Sequence, residues 1–141
     1  MVDKTLMMRK LSELEEYLNQ VREFASIKQE EYSGDWKIQR IIERTLQMMI
    51  ELTVDISAHL ISDKRLRVPT GYADTFKVLL EGGLISKDLY QVLVQMANFR
   101  NIVVHHYDQI DDTIVVDILK NHLGNFLLFR DAVVQIIKQE V

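Results

Sequence analysis

Cysteine is absent from all 141 residues. Neither a disulfide framework nor a thiolate zinc site is therefore available, and a cytoplasmic setting is the expected one. Proline occurs once, at Pro69, and glycine only five times, a scarcity of breakers that favours long helices over a sheet. No apolar run approaches the length of a membrane span. Met1–Lys10 mixes charged and apolar residues where a secretory leader would run uninterrupted. Excess positive charge is missing too. The net charge of −4 argues against indiscriminate coating of nucleic acid, which phosphate neutralisation drives. A local basic groove, including one shared between two subunits, remains compatible with that balance.

What is present is ordinary for a globular chain, 48% apolar and 27% charged. The length fits one domain over residues 1–141, large enough to bury a core, with no repeat or linker. Met7, Leu11, Leu14, Leu18, Val21 and Ala25 line one face of a first helix over about 3–27, with Asp3 as its N-cap. Lys28–Gly34 reads as a polar separator. A long second helix runs from about Asp35 to Ser62 on Ile38, Ile42, Leu46, Met49, Leu52, Ile56 and Leu60. Beside that stripe, Glu51, Asp55 and His59 stack at spacings of four. After a loop holding Lys64, Arg65, Arg67 and Pro69-Thr70-Gly71, a short helix over Ala73–Glu81 stops at Gly82-Gly83. Ser86 caps a fourth helix with a seam of Leu89, Val92, Met96, Phe99 and Val103. Asp108–Asp112 breaks the chain again. A last helix then carries Val115, Leu119, His122, Phe126, Phe129, Val133 and Ile137, which makes His122 a core histidine. The expected fold is all-α, an up-and-down bundle of four long helices plus one short helix.

The chemistry-bearing residues gather in Arg100-Asn101-Ile102-Val103-Val104-His105-His106-Tyr107. Arginine grips a phosphate bidentately and stabilises charge developing on it. Histidine, titrating near about 6.5, takes a proton from a ribose hydroxyl or gives one to a leaving oxygen. On an unbroken helix Arg100 and His105 would lie about 140° apart, and His105 and Tyr107 about 160°. Either the helix ends near His105 and the chain turns, or a neighbouring element completes the site. Asn101 and His105, four apart, do share a face. Taken alone, Arg100 and His105 also suit a pair of cations satisfying a helix C-terminus.

Arg-x-x-x-x-His-x-Tyr, as Arg100, His105 and Tyr107, resembles the motif of HepT-like toxins of the HEPN superfamily. Three further registers resemble the same family in order. They are the acid and histidine of Asp55-Ile56-Ser57-Ala58-His59, the connector Pro69, Asp74 and Phe76, and the run Ile114-Val115-Val116-Asp117. The similarity covers nearly the whole chain.

The resemblance implies a HEPN-type bundle acting as a metal-independent endoribonuclease on RNA, leaving a 2′,3′-cyclic phosphate, as a homodimer with facing motifs. By the same analogy His105 is the general acid or base and Arg100 binds the scissile phosphate. Asn101 and Asp55 support them, with Asp55 orienting Arg100 or His105. The implied partner is a minimal nucleotidyltransferase (MNT) antitoxin that transfers AMP to Tyr107. A non-catalytic HEPN module binding a nucleotide or a nucleotidyltransferase is the alternative. His106 occupies an open position of the motif, and His59 reads as a structural histidine beside a carboxylate. With His105 and His106 adjacent and no His-x-x-x-His pair, no metal or other cofactor site is expected. Lys64, Arg65 and Arg67 read as a solvated loop, and DNA is not an expected partner.

Overall fold

Asp3 opens the first helix as its position predicts, its carboxylate accepting from the Leu6 amide at 3.0 Å. The computed structural model describes residues 2–140. Helix α1 spans Lys4–Val21 and buries Met7, Leu11, Leu14, Leu18 and Val21 of the anticipated face. It stops short of residue 27: a 3-10 turn over Arg22–Phe24 follows, and Ala25 lies beyond the helix, half-buried. It lies against α3, Trp36–Asp63, whose cap Asp35 accepts from the amides of Lys37 and Ile38. Ile42, Leu46, Met49, Ile56 and Leu60 of α3 are fully or nearly fully buried. Thr53 and Ser57 are buried among them and return their hydroxyls to the carbonyls of Met49 and Thr53, at 2.9 and 2.7 Å. Polar atoms are thereby satisfied inside the core without leaving the helix.

Lys28–Gly34 is not only a polar separator. Gln29–Gly34 forms a short helix, α2, that buries Tyr32 completely and donates its hydroxyl to Glu43 Oε2 at 3.3 Å. Burial first, and then the Glu43 carboxylate, push the Tyr32 phenol well above its usual range. One apolar residue in a polar run has no period to betray it.

Helix α4, Tyr72–Glu81, ends as expected: Gly83 takes φ +73°, and the amides of Gly83 and Leu84 return to the carbonyls of Leu80 and Leu79. Ser86 caps α5, Lys87–His105, by accepting from the Leu89 amide at 3.1 Å. The closing helix comes in three parts: α6 over Asp112–Asp117, a π-helical stretch Ile118–His122, and α7 over Gly124–Lys138. The four long elements and the short α4 of the expected bundle are all present, with α2 added.

The structure corrects the reading of His122. Leu119, Leu123 and Phe126 are as regular a helical spacing as Leu119, His122 and Phe126. Leu123 takes the core position between Leu119 and Phe126, and His122 turns outward to meet Asp117 Oδ2 at 3.0 Å. His122 is a surface histidine.

The connector before α4 is held by charge. Arg67 forms a two-point pair with Asp74, at 2.8 and 2.9 Å, and reaches Glu81 through Nε at 2.8 Å. Asp74 also accepts from the Thr70 amide at 2.8 Å, while Phe76, two residues on, is fully buried. Lys64 pairs with Glu140 at 2.6 Å. Two of the three cations in this loop are thus fasteners.

The Arg67 guanidinium, followed by the Thr70 amide, holds the Asp74 carboxyl well below the usual carboxylate range. A group with a depressed folded pKa stabilises the fold above its unfolded pKa, near 4, and loses that effect as pH falls through the folded value. Asp74→Asn should therefore be less stable than wild type at neutral pH. The gap should close as pH drops from about 5 towards about 2. Urea unfolding at stepped pH reads this directly; a gap that widens in acid contradicts it.

Candidate active site

Helix α5 ends at His105. His106 leaves helical geometry at φ −133°, ψ 49°, and Tyr107–Gln109 turn in a single 3-10 turn before Asp111 caps α6. The chain therefore turns right after His105, the first of the two arrangements its spacing allows. His105, His106 and Tyr107 are all exposed. Among the described residues the His105 ring makes no hydrogen bond or ion pair, and it is open to solvent.

Arg100, one and a half turns earlier, is held on several sides. Its Nε and Nη2 donate to Glu51 Oε1 of α3 at 3.2 and 3.0 Å. Nη1 points to Asn101 Oδ1 at 3.4 Å, and the guanidinium carbon lies 4.3 Å from the ring centre of Tyr72. The side chain is only 16% exposed. A planar cation on an aromatic face with a carboxylate at its edge has little rotational freedom left. Gln47 donates to the same Glu51 oxygen at 3.2 Å and steadies it in turn.

Asp55 does not orient Arg100. It pairs with Lys10 of α1, and His59 Nε2 stands 3.7 Å from its other oxygen. Both Glu51 and Asp55 lie on the same row of α3, about 40° apart around the axis. The choice between them is made by α1, which supplies Lys10 to Asp55. Glu51 was visible in that row; its role was not, because it depends on which helix brings which cation.

Tyr107 has a partner that no spacing within α5 reveals. The Arg40 guanidinium, from the first turns of α3, sits 4.6 Å from the Tyr107 ring centre. Arg40 is itself anchored to Glu43 Oε1 at 3.1 Å, and Glu43 is the carboxylate that receives the Tyr32 hydroxyl. The stack leaves the ring 46% exposed. An apolar cavity among Leu46, Met96, Phe99 and Phe126 has neither Arg100 nor His105 in its lining. The motif is an open surface at a helix end, a shape that admits a polymer. Among the described residues, no three histidines, aspartates or glutamates converge as a metal-binding group.

Comparison with known proteins converges on one family. The model of the family described as "Ribonuclease HepT-like" matches residues 14–133. The chain belongs to the HepT-like ribonuclease family. It is 31% identical over 103 residues to the mRNA nuclease HepT of Shewanella oneidensis, covering 73% of this chain and 77% of that protein. It is 26% identical over 113 residues to the tRNA nuclease HepT of Aphanizomenon flos-aquae, covering 78% and 75%. Among solved structures, the tri-AMPylated Shewanella oneidensis HEPN toxin in complex with an MNT antitoxin superposes with a TM-score of 0.86. That match has 26% identity and covers 96% of this chain and 99% of that one. The HepT-like fold and the motif at the end of α5 are thus found together.

The Glu51–Arg100 contact has a measurable energetic signature. Glu51→Ala leaves a largely buried guanidinium without its carboxylate and should cost about 1–3 kcal/mol in urea unfolding. Replacing both, Glu51→Leu with Arg100→Met, should recover part of that loss, because no charge is then stranded. A double-variant loss equal to the sum of the losses of Glu51→Leu and Arg100→Met measured separately would show that the pair is not coupled.

Proposed function

We propose that the protein is the toxin ribonuclease of a toxin–antitoxin pair, cleaving RNA with Arg100 and His105 and silenced by AMP placed on Tyr107. The observation that carries this reading is the pairing of a fixed cation with a free imidazole. Arg100 is locked by Glu51 and Tyr72, while His105 stands exposed at the last residue of the same helix. That is the division of labour phosphodiester transfer needs. A preset cation meets charge developing on the phosphate, and an uncommitted base handles the proton.

In the reaction, His105 takes the proton of a ribose 2′-hydroxyl. The 2′-oxygen attacks the adjacent phosphorus, and the 5′-oxygen of the next nucleotide departs and is protonated. The products are a 2′,3′-cyclic phosphate and a 5′-hydroxyl, with no net redox change. Asn101, beside Arg100 and on the His105 face of α5, supports the guanidinium. Asp55, fastened to Lys10, acts by keeping α1 against α3. Two copies with facing motifs would double the cations around one strand.

The partner of this reading is a minimal nucleotidyltransferase antitoxin. It would transfer AMP from ATP to the Tyr107 hydroxyl, releasing pyrophosphate. A bulky anion on an exposed ring beside the motif repels RNA and occupies its space. The 46% exposure of Tyr107 makes the hydroxyl reachable.

Two measurements test this reading. His105→Ala and Arg100→Ala should each reduce RNA cleavage by on the order of 10²–10⁴-fold, with unfolding curves showing a folded chain. Cleavage ends should carry the cyclic phosphate, and undiminished cleavage by both variants removes the assignment. Co-expression with a cognate minimal nucleotidyltransferase should add AMP-sized masses to wild type and none to Tyr107→Phe. AMP additions that persist on Tyr107→Phe would place the modification elsewhere.

A further inference from the structure

Arg100 is poorly placed to hold an RNA strand by itself. Two of its nitrogens face Glu51, its plane lies on Tyr72, and little of it reaches solvent. The protein is also acidic overall, at −4, so general attraction does not supply the missing phosphate contacts. Free positive charge must come from nearby.

It is found on the face of α3 that fronts the end of α5. Trp36, Arg40, Arg44, Gln47 and Glu51 recur at spacings of four and three, which puts them along one side of the helix. Two points tie this line to α5 and the turn that follows it: Glu51 lies on Arg100 and Arg40 on Tyr107. The residue numbers run in opposite senses, so the helices are antiparallel there. Arg44 stands about 6 Å along the axis from Arg40 and about 10 Å from Glu51, at ~1.5 Å per residue. That places it at the level of His105. Arg44 is exposed and, among the described residues, makes no ion pair or hydrogen bond through its side chain. Lys37, on the same flank, makes no ion pair and rests 5.9 Å from the Trp36 ring, and Trp36 is 65% exposed. Between Trp36 and Arg44 the one acid, Glu43, is buried and engaged by Arg40 and Tyr32.

We propose that Arg44 and Arg40 form the strand-binding track of the site, gripping RNA backbone phosphates that flank the bond opposite His105, with Trp36 as a stacking platform at the outer end. Aromatic rings interleaved with cations are the usual means of holding a single strand without regard to sequence. Arg44 takes the phosphate beside His105, and Arg40 the next one towards Trp36. The track rests on the ribonuclease reading above. It also gives the AMP on Tyr107 a specific effect, since its phosphate would lie against Arg40 and close the track.

The test uses the full-length protein and a mixed-sequence single-stranded RNA oligonucleotide. Arg44→Gln should raise KM for cleavage roughly tenfold with kcat little changed. In a His105→Ala background, it should weaken binding by a similar factor. The slope of log affinity against log salt should fall by about 0.7 for each phosphate contact removed. Arg44→Lys should recover most of the affinity, which a merely structural role would not predict. Lys87→Gln, at the far end of α5, serves as the charge control and should behave as wild type. Unchanged KM and an unchanged salt slope in Arg44→Gln, with wild type cleaving normally, would overturn the track alone. No cleavage by wild type would overturn the ribonuclease reading and the track with it.

Discussion

The antiparallel apposition of α3 and α5, closed by Arg100 on Glu51, sets everything else at this end of the bundle. It needs Tyr72, the first residue of α4, to cover the guanidinium plane, which is why the connector before α4 is fastened so heavily. Arg67, Asp74, Thr70 and Glu81 hold that connector, and Phe76 seats it in the core. The Pro69–Phe76 register therefore reaches the site indirectly. It fixes the ring that fixes the arginine.

Local chemistry was the legible part of the sequence. Asp3 and Ser86 cap their helices as expected, and Asp35, expected only as a helix start, proves to be a third cap, because a short acceptor side chain can satisfy amides only two or three residues on. Gly83 ends α4 because a left-handed residue costs glycine least. The apolar face of α1 from Met7 to Val21 is legible because an amphipathic helix has one dominant period, but its end is not, since the chain leaves the α-helix at Val21, before the expected Ala25. The end of α5 at His105 was one of two arrangements its angular spacing permitted, and the neighbouring polar residues favoured it.

What was illegible depends on events outside the segment concerned. Tyr32 gives a single apolar point in a polar run, so α2 has no pattern, although Glu43 on α3 waits for its hydroxyl. His122 was misplaced because Leu119, His122, Phe126 and Leu119, Leu123, Phe126 are equally regular helical spacings, and it is Leu123 that packs into the core. Asp55 and Glu51 are equivalent on the row of α3 and differ only in what faces them. Lys10 arrives from α1, forty-five residues away in sequence, and Arg100 from α5, forty-nine away. Arg40 on Tyr107 has the same character. The candidate site was visible as a motif on one helix, whereas its supports belong to three others.

An open site of this kind constrains how activity is controlled. Among the described residues His105 stands exposed at the end of α5, so the helix end is available to any polymer that reaches it. Control must then act by occupying the surface. Tyr107 is suited to that because Arg40 holds its ring at the junction of α3 and α5, on the side where a strand passing His105 would have to leave. A group attached there need not distort Arg100 or unfold α5 to be effective. It has only to bring negative charge beside Arg40 and Arg44, at the end of α5 where Arg100 and His105 stand, in a protein whose net charge is already −4.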